Sequence, residues 1–444
     1  MCSSPINFTY VMEEIFMKKQ PANFLKRVYE KPADRVPQKQ LYCCVDPGST
    51  QIRTVAQYVN SDNEIILASE GRNAISTNYV NILNSMNKDT SKEPLWKNME
   101  FSIQYPAIPG ITSKPKLVQF ARGRIADMYR NGSPTLFIDS TTEKGRQMST
   151  YNGILSNLAL YCLGDDMYTN THADVYNIDL CLAIPPMELS LSTDSTFQSV
   201  LCGREWEISL PRVHRTFKMI INNLQVVEEP VAAATSAVGR SVVSIGKNVS
   251  FLDCGGRSIG WVPRIGRVCQ ENVYSHQGDA GLRFLSYLAE EIKRIDNVAA
   301  PTHQEILSAM ENGGKLMIGA KEASFIQAYN NALRYIAQVL IGSLRKGIAN
   351  SSNRIETFQE HIFSGRIFTN PIKDSDGNII SDQLIDVLYE EFVDLPEGVQ
   401  LRVNPTNNPI LDGLSLIQTN YMLNSLFGED EEEEDKEEDD IDEF

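Results

Sequence analysis

The sequence predicts an α/β protein in which one strand–turn–strand pattern occurs twice. Residues 41–45 form an unbroken apolar run stopped by Asp46-Pro-Gly-Ser-Thr, and strand character resumes over 53–58. A run bounded by turn residues in this way reads as a buried strand entering a tight turn. The same arrangement returns about two hundred residues later, where 249–252 runs into Asp253-Cys-Gly-Gly-Arg-Ser and 259–262 continues as a strand. Helical periodicity fills the intervals: apolar residues recur every three or four positions at 152–163, 281–295 and 323–348.

Taken in order, residues 1–40 carry several charges, with Pro21, Pro32 and Pro37 breaking any long helix. They read as an arm with short amphipathic helices at 8–16 and 24–29. A third strand is expected at 64–68. Residues 70–150, rich in Asn, Ser and Lys, read as an insertion with shorter elements. A strand at 175–185 is broken by Pro185-Pro186. Residues 224–228 lead into Glu229-Pro230-Val-Ala-Ala-Ala, where proline in the first turn and the alanines after it favour a helix start. Later come a short strand at 361–363 ending in Ser364-Gly365, a helix at 382–392, a strand at 401–403, and a last helix at 412–427 capped by Asp412.

The chain has 444 residues, enough for two or three domains, and its 42% apolar content is that of a soluble globular protein. Its formal net charge is −16, of which residues 429–443 supply −12 through thirteen acids and one lysine. The acidity is a tail property, and so dense a like-charge block stays solvated. A nearly balanced body argues against a uniformly basic DNA-wrapping surface. No apolar stretch has the length of a membrane span, and the first residues lack the order of a secretion signal. Eight cysteines with no CxxC pair, and five scattered histidines, leave no zinc site or disulfide scaffold. Adjacent Cys43 and Cys44 read as reduced core residues, and the expected address is the cytoplasm. Asp374-Ser-Asp-Gly-Asn378 has its glycine too early for a calcium loop and reads as a turn.

The two repeated turns carry the chemistry. Small residues let backbone N–H groups approach phosphate oxygens, and the Ser and Thr hydroxyls add donors. An aspartate at the end of each strand suits the water shell of a phosphate-bound Mg²⁺, which keeps several of its waters. Two such turns facing one another would clamp a triphosphate. Between them, Glu229 stands at a helix N-terminus, where an acid is favoured by the dipole and where it could orient or deprotonate the water attacking a γ-phosphate.

The order D-x-G-S-T, E-P-x-A-A, D-x-G-G-x-S and a late S-G turn resembles the actin-like ATPase superfamily, over about residues 41–427. Within it the chain is most similar to the ParM-type plasmid-segregation actins, in 46–53 (DPGSTQIR), 183–186 (AIPP), 251–258 (FLDCGGRS), 330–334 (NNALR), 362–366 (IFSGR) and 405–413 (PTNNPILDG). Residues 228–234 (EEPVAAA) resemble MreB-type filaments. The resemblance implies two similar α/β domains with a nucleotide cleft between them. It divides the chain into an extension (1–40), domain I (41–238, with the insertion), domain II (239–411), a helix returning to domain I (412–427) and the acidic tail (428–444).

It also implies roles. Asp46 and Asp253 would hold Mg²⁺ through water and, with Glu229, form the catalytic set. Gly48, Ser49, Thr50 and Arg53 would serve the first phosphate turn, and Gly255, Gly256 and Ser258 the second. Gly278, Asp279 and Gly281 resemble the loop leading to the ribose, and Ser364, Gly365 and Arg366 the adenosine turn. Arg53 stands where a Lys is usual, Arg257 where a small residue is, Gly260 where an Asp is common, and Arg366 where a third Gly is. The implied cofactors are ATP or GTP with Mg²⁺. The implied partners are copies of the same chain and an adaptor bound to centromere-like DNA, without sequence-specific DNA contact by this chain or a membrane span. A nucleotide-locked scaffold and a small-molecule kinase of the same fold are the alternatives. A DnaK-type chaperone would need a substrate domain after the ATPase, where only the short tail follows.

Overall fold

The computed structural model describes residues 34–427 except 49–50, 60–64, 68–73, 77, 82–97, 109–110, 124–134, 137–142, 170, 189–190, 240–245, 257, 267, 270–273, 278–280, 366–370, 405 and 407. The expected N-terminal helices and the acidic tail lie outside the described residues.

The first lobe begins with the long strand β1 (Asp34–Pro47) and its hairpin partner β2 (Gln51–Val59). Five shorter segments follow, β3 (Ile65–Leu67), β4 (Ala74–Ser76), β5 (Asn78–Asn81), β6 (Asn98–Tyr105) and β7 (Lys116–Gly123), then the two-residue β8 (Thr135–Leu136). Helix α1 (Met148–Thr169) leads to β9 (Thr171–Ile184), and α2 (Leu191–Leu201) to β10 (Glu205–Leu210) and β11 (Arg215–Glu228). These strands form one sheet in the order β3-β2-β1-β9-β11-β10-β6-β7-β5-β8, with β4 paired to β2. The 98–123 strands therefore extend the main sheet through β10. Within the sheet, β1, β9 and β11 run parallel to their neighbours in this trio, so their carboxyl ends emerge together.

Helix α3 (Glu229–Gly239) crosses to the second lobe, which opens with the hairpin β12 (Val249–Cys254) and β13 (Ser258–Ile265). After β14 (Val268–Cys269) and β15 (Tyr274–Gln277) come α4 (Gly281–Asp296), α5 (His303–Glu311), the small hairpin β16 (Met317–Ile318) and β17 (Lys321–Glu322), and α6 (Phe325–Asn350). Strand β18 (Glu360–Ser364), α7 (Leu384–Glu391) and β19 (Gln400–Val403) complete the lobe before α8 (Pro409–Phe427). Its sheet runs β14-β13-β12-β18-β19. Like β1, β12 has an antiparallel partner from its own hairpin on one side and a parallel strand on the other, followed by a further parallel strand. The repeated sequence pattern is thus a repeated topology.

The cores follow the two sheets. In the first lobe Ile154, Leu155 and Leu158 of α1 pack with Leu41, Val45, Ile178 and Leu180. In the second, Leu333, Ile336, Leu340 and Leu344 of α6 recur at helical spacing and pack with Trp261, Phe284 and Phe363. Helix α3 is built of small residues because it is squeezed from both sides. Ala232 and Ala233 pack with Cys44, Cys181 and Leu414 of the first lobe and α8, while Ala234 and Ala237 pack with Val249, Phe251 and Ile362 of the second.

Helix α8 starts earlier than expected, at Pro409. Asp412 is therefore no N-cap: its N–H already bonds the Asn408 carbonyl, and its carboxylate accepts the Thr406 hydroxyl at 2.5 Å. The 374–378 segment is the expected turn, with Asp374 Oδ1 accepting the N–H groups of Asp376 and Asn378. Cys43 and Cys44 are buried and form no disulfide. Among the described residues no helix is long and apolar enough to cross a membrane.

Candidate functional site

In open α/β sheets, ligands settle outside the carboxyl ends of parallel strands, and both lobes place their polar residues there. In the first lobe, Val45 is level with Leu182, and Ile184 with Glu228, so Asp46 and Glu229 leave the sheet side by side with the turn after β9. In the second, Asp253 pairs in register with Ser364. Glu229 joins the two sets because α3 starts in one lobe and lies against the other.

Asp46 is 2% exposed and is held by Arg53, its cross-strand neighbour in the hairpin, whose Nη1 donates to Oδ2 at 2.9 Å. The Gly48 N–H closes the turn on the Asp46 carbonyl at 2.9 Å. Burial pushes the Asp46 carboxyl above its usual value, Arg53 and Lys144 pull it back, and Glu229 adds to the rise. Asp253, also buried, is raised well above the usual carboxylate value by desolvation and then by Glu229 and Asp46. Glu229 contributes to the rise at both aspartates, so the site brings three buried acids together.

In the second loop the Gly255 N–H bonds the Ser258 carbonyl, while the Gly255 and Gly256 carbonyls accept the first N–H groups of α4, from Gly281 and Leu282. The glycine at 255 keeps a cradle open. A Cβ there would stand 3.8 Å from both Glu229 Oε2 and Ser258 Oγ. Gly260, the departure from the common Asp, has a packing cause: any Cβ would lie 2.7 Å from the Pro230 ring. Ser364 and Gly365 are buried beside this loop. Ser49, Thr50, Gly278, Asp279 and Arg366 lie outside the described residues.

Lys144 and Glu188 belong to the same cluster and were missed by the sequence reading. Lys144 Nζ donates to Glu229 Oε1 at 2.9 Å, with both side chains buried, and its backbone N–H donates to Glu188 Oε2 at 2.7 Å. Lys144 sits in the segment read as an insertion, with no motif around it. Glu188 had a faint signal, an acid directly after a strand and a Pro-Pro turn.

The residues present fit a phosphorylated ligand. Arg53 Nε is buried with no hydrogen-bond partner among the described residues, a donor that an anion would satisfy. Asp46 and Asp253, buried acids at the ends of β1 and β12, fit the water shell of a divalent cation. No group of three or more His, Cys, Asp or Glu side chains placed to hold a metal ion occurs among the described residues.

No protein-family model matches the chain, and no curated protein matches it in sequence. Solved structures do match in shape. The actin-like protein Alp7A superimposes with a TM-score of 0.60 at 12% identity, covering 88% of this chain and 99% of its own. ParM of Bacillus thuringiensis, solved with ATP, gives 0.55 at 12% identity, covering 87% of this chain and 100% of its own. ParM from Clostridium botulinum, in a 15-stranded filament, gives 0.57 at 12% identity over 86% and 99%. Fold and topology thus define a two-lobed α/β protein with polar loops converging between its sheets. That architecture is the actin-like fold.

Proposed function

We propose that this chain is an actin-like, filament-forming nucleotidase that binds ATP or GTP between its lobes and hydrolyses it. The observation that carries the reading is the convergence of Asp46, Asp253 and Glu229 from three separate strand ends onto one buried site. Arg53 and the glycines of the two loops bind the phosphates. Asp46 and Asp253 would hold Mg²⁺ through its waters, and such an ion would supply positive charge against the phosphates. Glu229 orients the attacking water and takes its proton. ParM structures of the same fold, one solved with ATP and another as a filament, support the nucleotide-binding and the filament-forming parts of this reading. A ParM-like role in moving DNA, through an adaptor bound to centromere-like DNA, is the finer form of this proposal.

The test is right-angle light scattering of purified protein after addition of Mg-ATP or Mg-GTP, with phosphate release followed in the same cuvette. Wild type should rise and decay. Glu229→Ala should rise to a stable plateau while phosphate release falls by ~10²–10⁴-fold, the usual contribution of general acid–base catalysis. A rise without phosphate release in wild type points to a static scaffold. Phosphate release without scattering at any concentration overturns the filament reading.

A further inference from the structure

Glu229 has two carboxylate oxygens, and the structure gives them different surroundings. Oε1 accepts the Lys144 ammonium at 2.9 Å. Oε2 faces the second loop, 3.8 Å from where a Gly255 Cβ would stand. Lys144 approaches from the single turn ahead of α1, and three contacts fix that turn. Its N–H is bound by Glu188 Oε2 at 2.7 Å, the Gly145 carbonyl accepts the Tyr151 hydroxyl at 2.6 Å, and the Gln147 N–H closes on the Lys144 carbonyl at 3.2 Å. Glu188, itself buried, stands on the turn after β9.

We propose that Lys144, anchored at its backbone by Glu188, is the positioning residue for Glu229: it occupies Oε1 and thereby leaves Oε2 as the oxygen presented to the attacking water. This rests on the reading of the cleft as a nucleotide site. A free carboxylate at a helix start can rotate about its last torsion, and its two oxygens are then equivalent. A buried ammonium on one of them removes that freedom and fixes the direction of the other. Burial draws the Lys144 pKa down, but Glu229, Glu188 and Asp46 around it together leave the ammonium above its usual value, so the clamp stays charged. No other described basic side chain forms an ion pair with Glu229.

Two measurements test it. The first needs no substrate: thermal unfolding of Lys144→Met, Glu229→Gln and the double variant. The double variant should lose clearly less in Tm than the two single losses added together, because the pair is broken once either partner is gone. Additive losses overturn the proposal whatever the cleft binds. The second compares direct binding of a fluorescent non-hydrolysable ATP analogue, with Mg²⁺, against single-turnover hydrolysis. Lys144→Met should lower the hydrolysis rate by ~10²-fold, the scale on which ångström-level misplacement acts, with its Kd for the analogue changed by less than ~3-fold on the same argument. Lys144→Arg should recover part of that loss. Glu188→Gln, which keeps an acceptor for the Lys144 N–H, should recover most of what Glu188→Ala loses.

Hydrolysis at the wild-type rate in Lys144→Met overturns the positioning role. A parallel loss of binding and rate also overturns it, since Lys144 would then bind the ligand directly. Failure of wild type to bind the analogue refutes the nucleotide site instead, while the unfolding measurement still decides whether Lys144 and Glu229 act as a pair.

Discussion

Helix α8 closes on α3 at one glycine, and that contact can be tested without any ligand. A Cβ built on Gly413 would lie 1.7 Å from the Ala232 carbonyl oxygen and 2.5 Å from its carbon. Both atoms are backbone, so no rotamer change relieves the overlap, and one helix must move by more than an ångström. Overpacking of this kind costs ~1–3 kcal/mol, and backbone against backbone places it at the upper end. Helix propensity acts the other way, since alanine is better than glycine in a helix interior by ~1 kcal/mol. The clash wins, leaving Gly413→Ala destabilised by about 2 kcal/mol or more, a Tm loss of ~4–8 °C for a cooperative unit the size of one lobe. Gly342, in the middle of α6, has nothing within 4 Å of its built Cβ. There only the propensity gain remains, and Gly342→Ala should raise Tm by ~2–4 °C. Calorimetry or circular-dichroism melts of both variants beside wild type give the comparison. A Gly413→Ala variant melting at or above wild type would refute the close approach of α8 to α3, and with it the account of why α3 is made of small residues.

His361 is fully buried between the strands of the second sheet, with Nδ1 paired to the Ser250 hydroxyl at 2.7 Å, and burial pulls its pKa down to about 4. A histidine depressed on folding resists protonation in the native state, so its contribution is intact above the ordinary value near 6.5 and is lost as pH falls from there towards 4. Wild type should lose about 2 kcal/mol of stability between pH 7 and pH 5 from this group. In His361→Gln that part of the pH dependence should vanish, as urea titrations at the two pH values would reveal. Thr302 caps α5 in a complete capping box, its Oγ1 accepting the Glu305 N–H while Glu305 returns to the Thr302 N–H at 2.7 Å. Thr302→Ala should cost about 1 kcal/mol, seen as a Tm loss of ~2–4 °C; an unchanged Tm would show that the cap adds nothing.

Legibility in the sequence depended on whether a feature was local. Asp46 and Asp253 could be found because each ends an apolar run and opens a turn, so strand, acid and small residues lie within ten positions. Glu229 could be found because the proline and alanines that start its helix are also what lets α3 fit between two lobes. Gly413 lay in a segment already singled out, though its reason, contact with Ala232, needed coordinates. The extension of the first sheet by β6 and β7 was hidden, because their place is set by pairing with β10, about a hundred residues away.

Lys144 was hidden for the same reason, and it changes the chemistry most. Its partners, Glu188 and Glu229, are 44 and 85 positions along the chain. They meet because β9 and β11 end level in the sheet. A motif reading recovers Asp46, Asp253 and Glu229, which sit in turns with strong local grammar, though not Glu188. It does not recover the base that balances them, because one lysine in a polar segment looks like any other surface lysine until the register of the strands buries it. The charge balance itself gives the missing hint: three buried carboxylates with Arg53 as their only recognised counter-charge require a second cation. Part of that requirement is met by Lys144, and the remainder is the reason to expect a divalent ion.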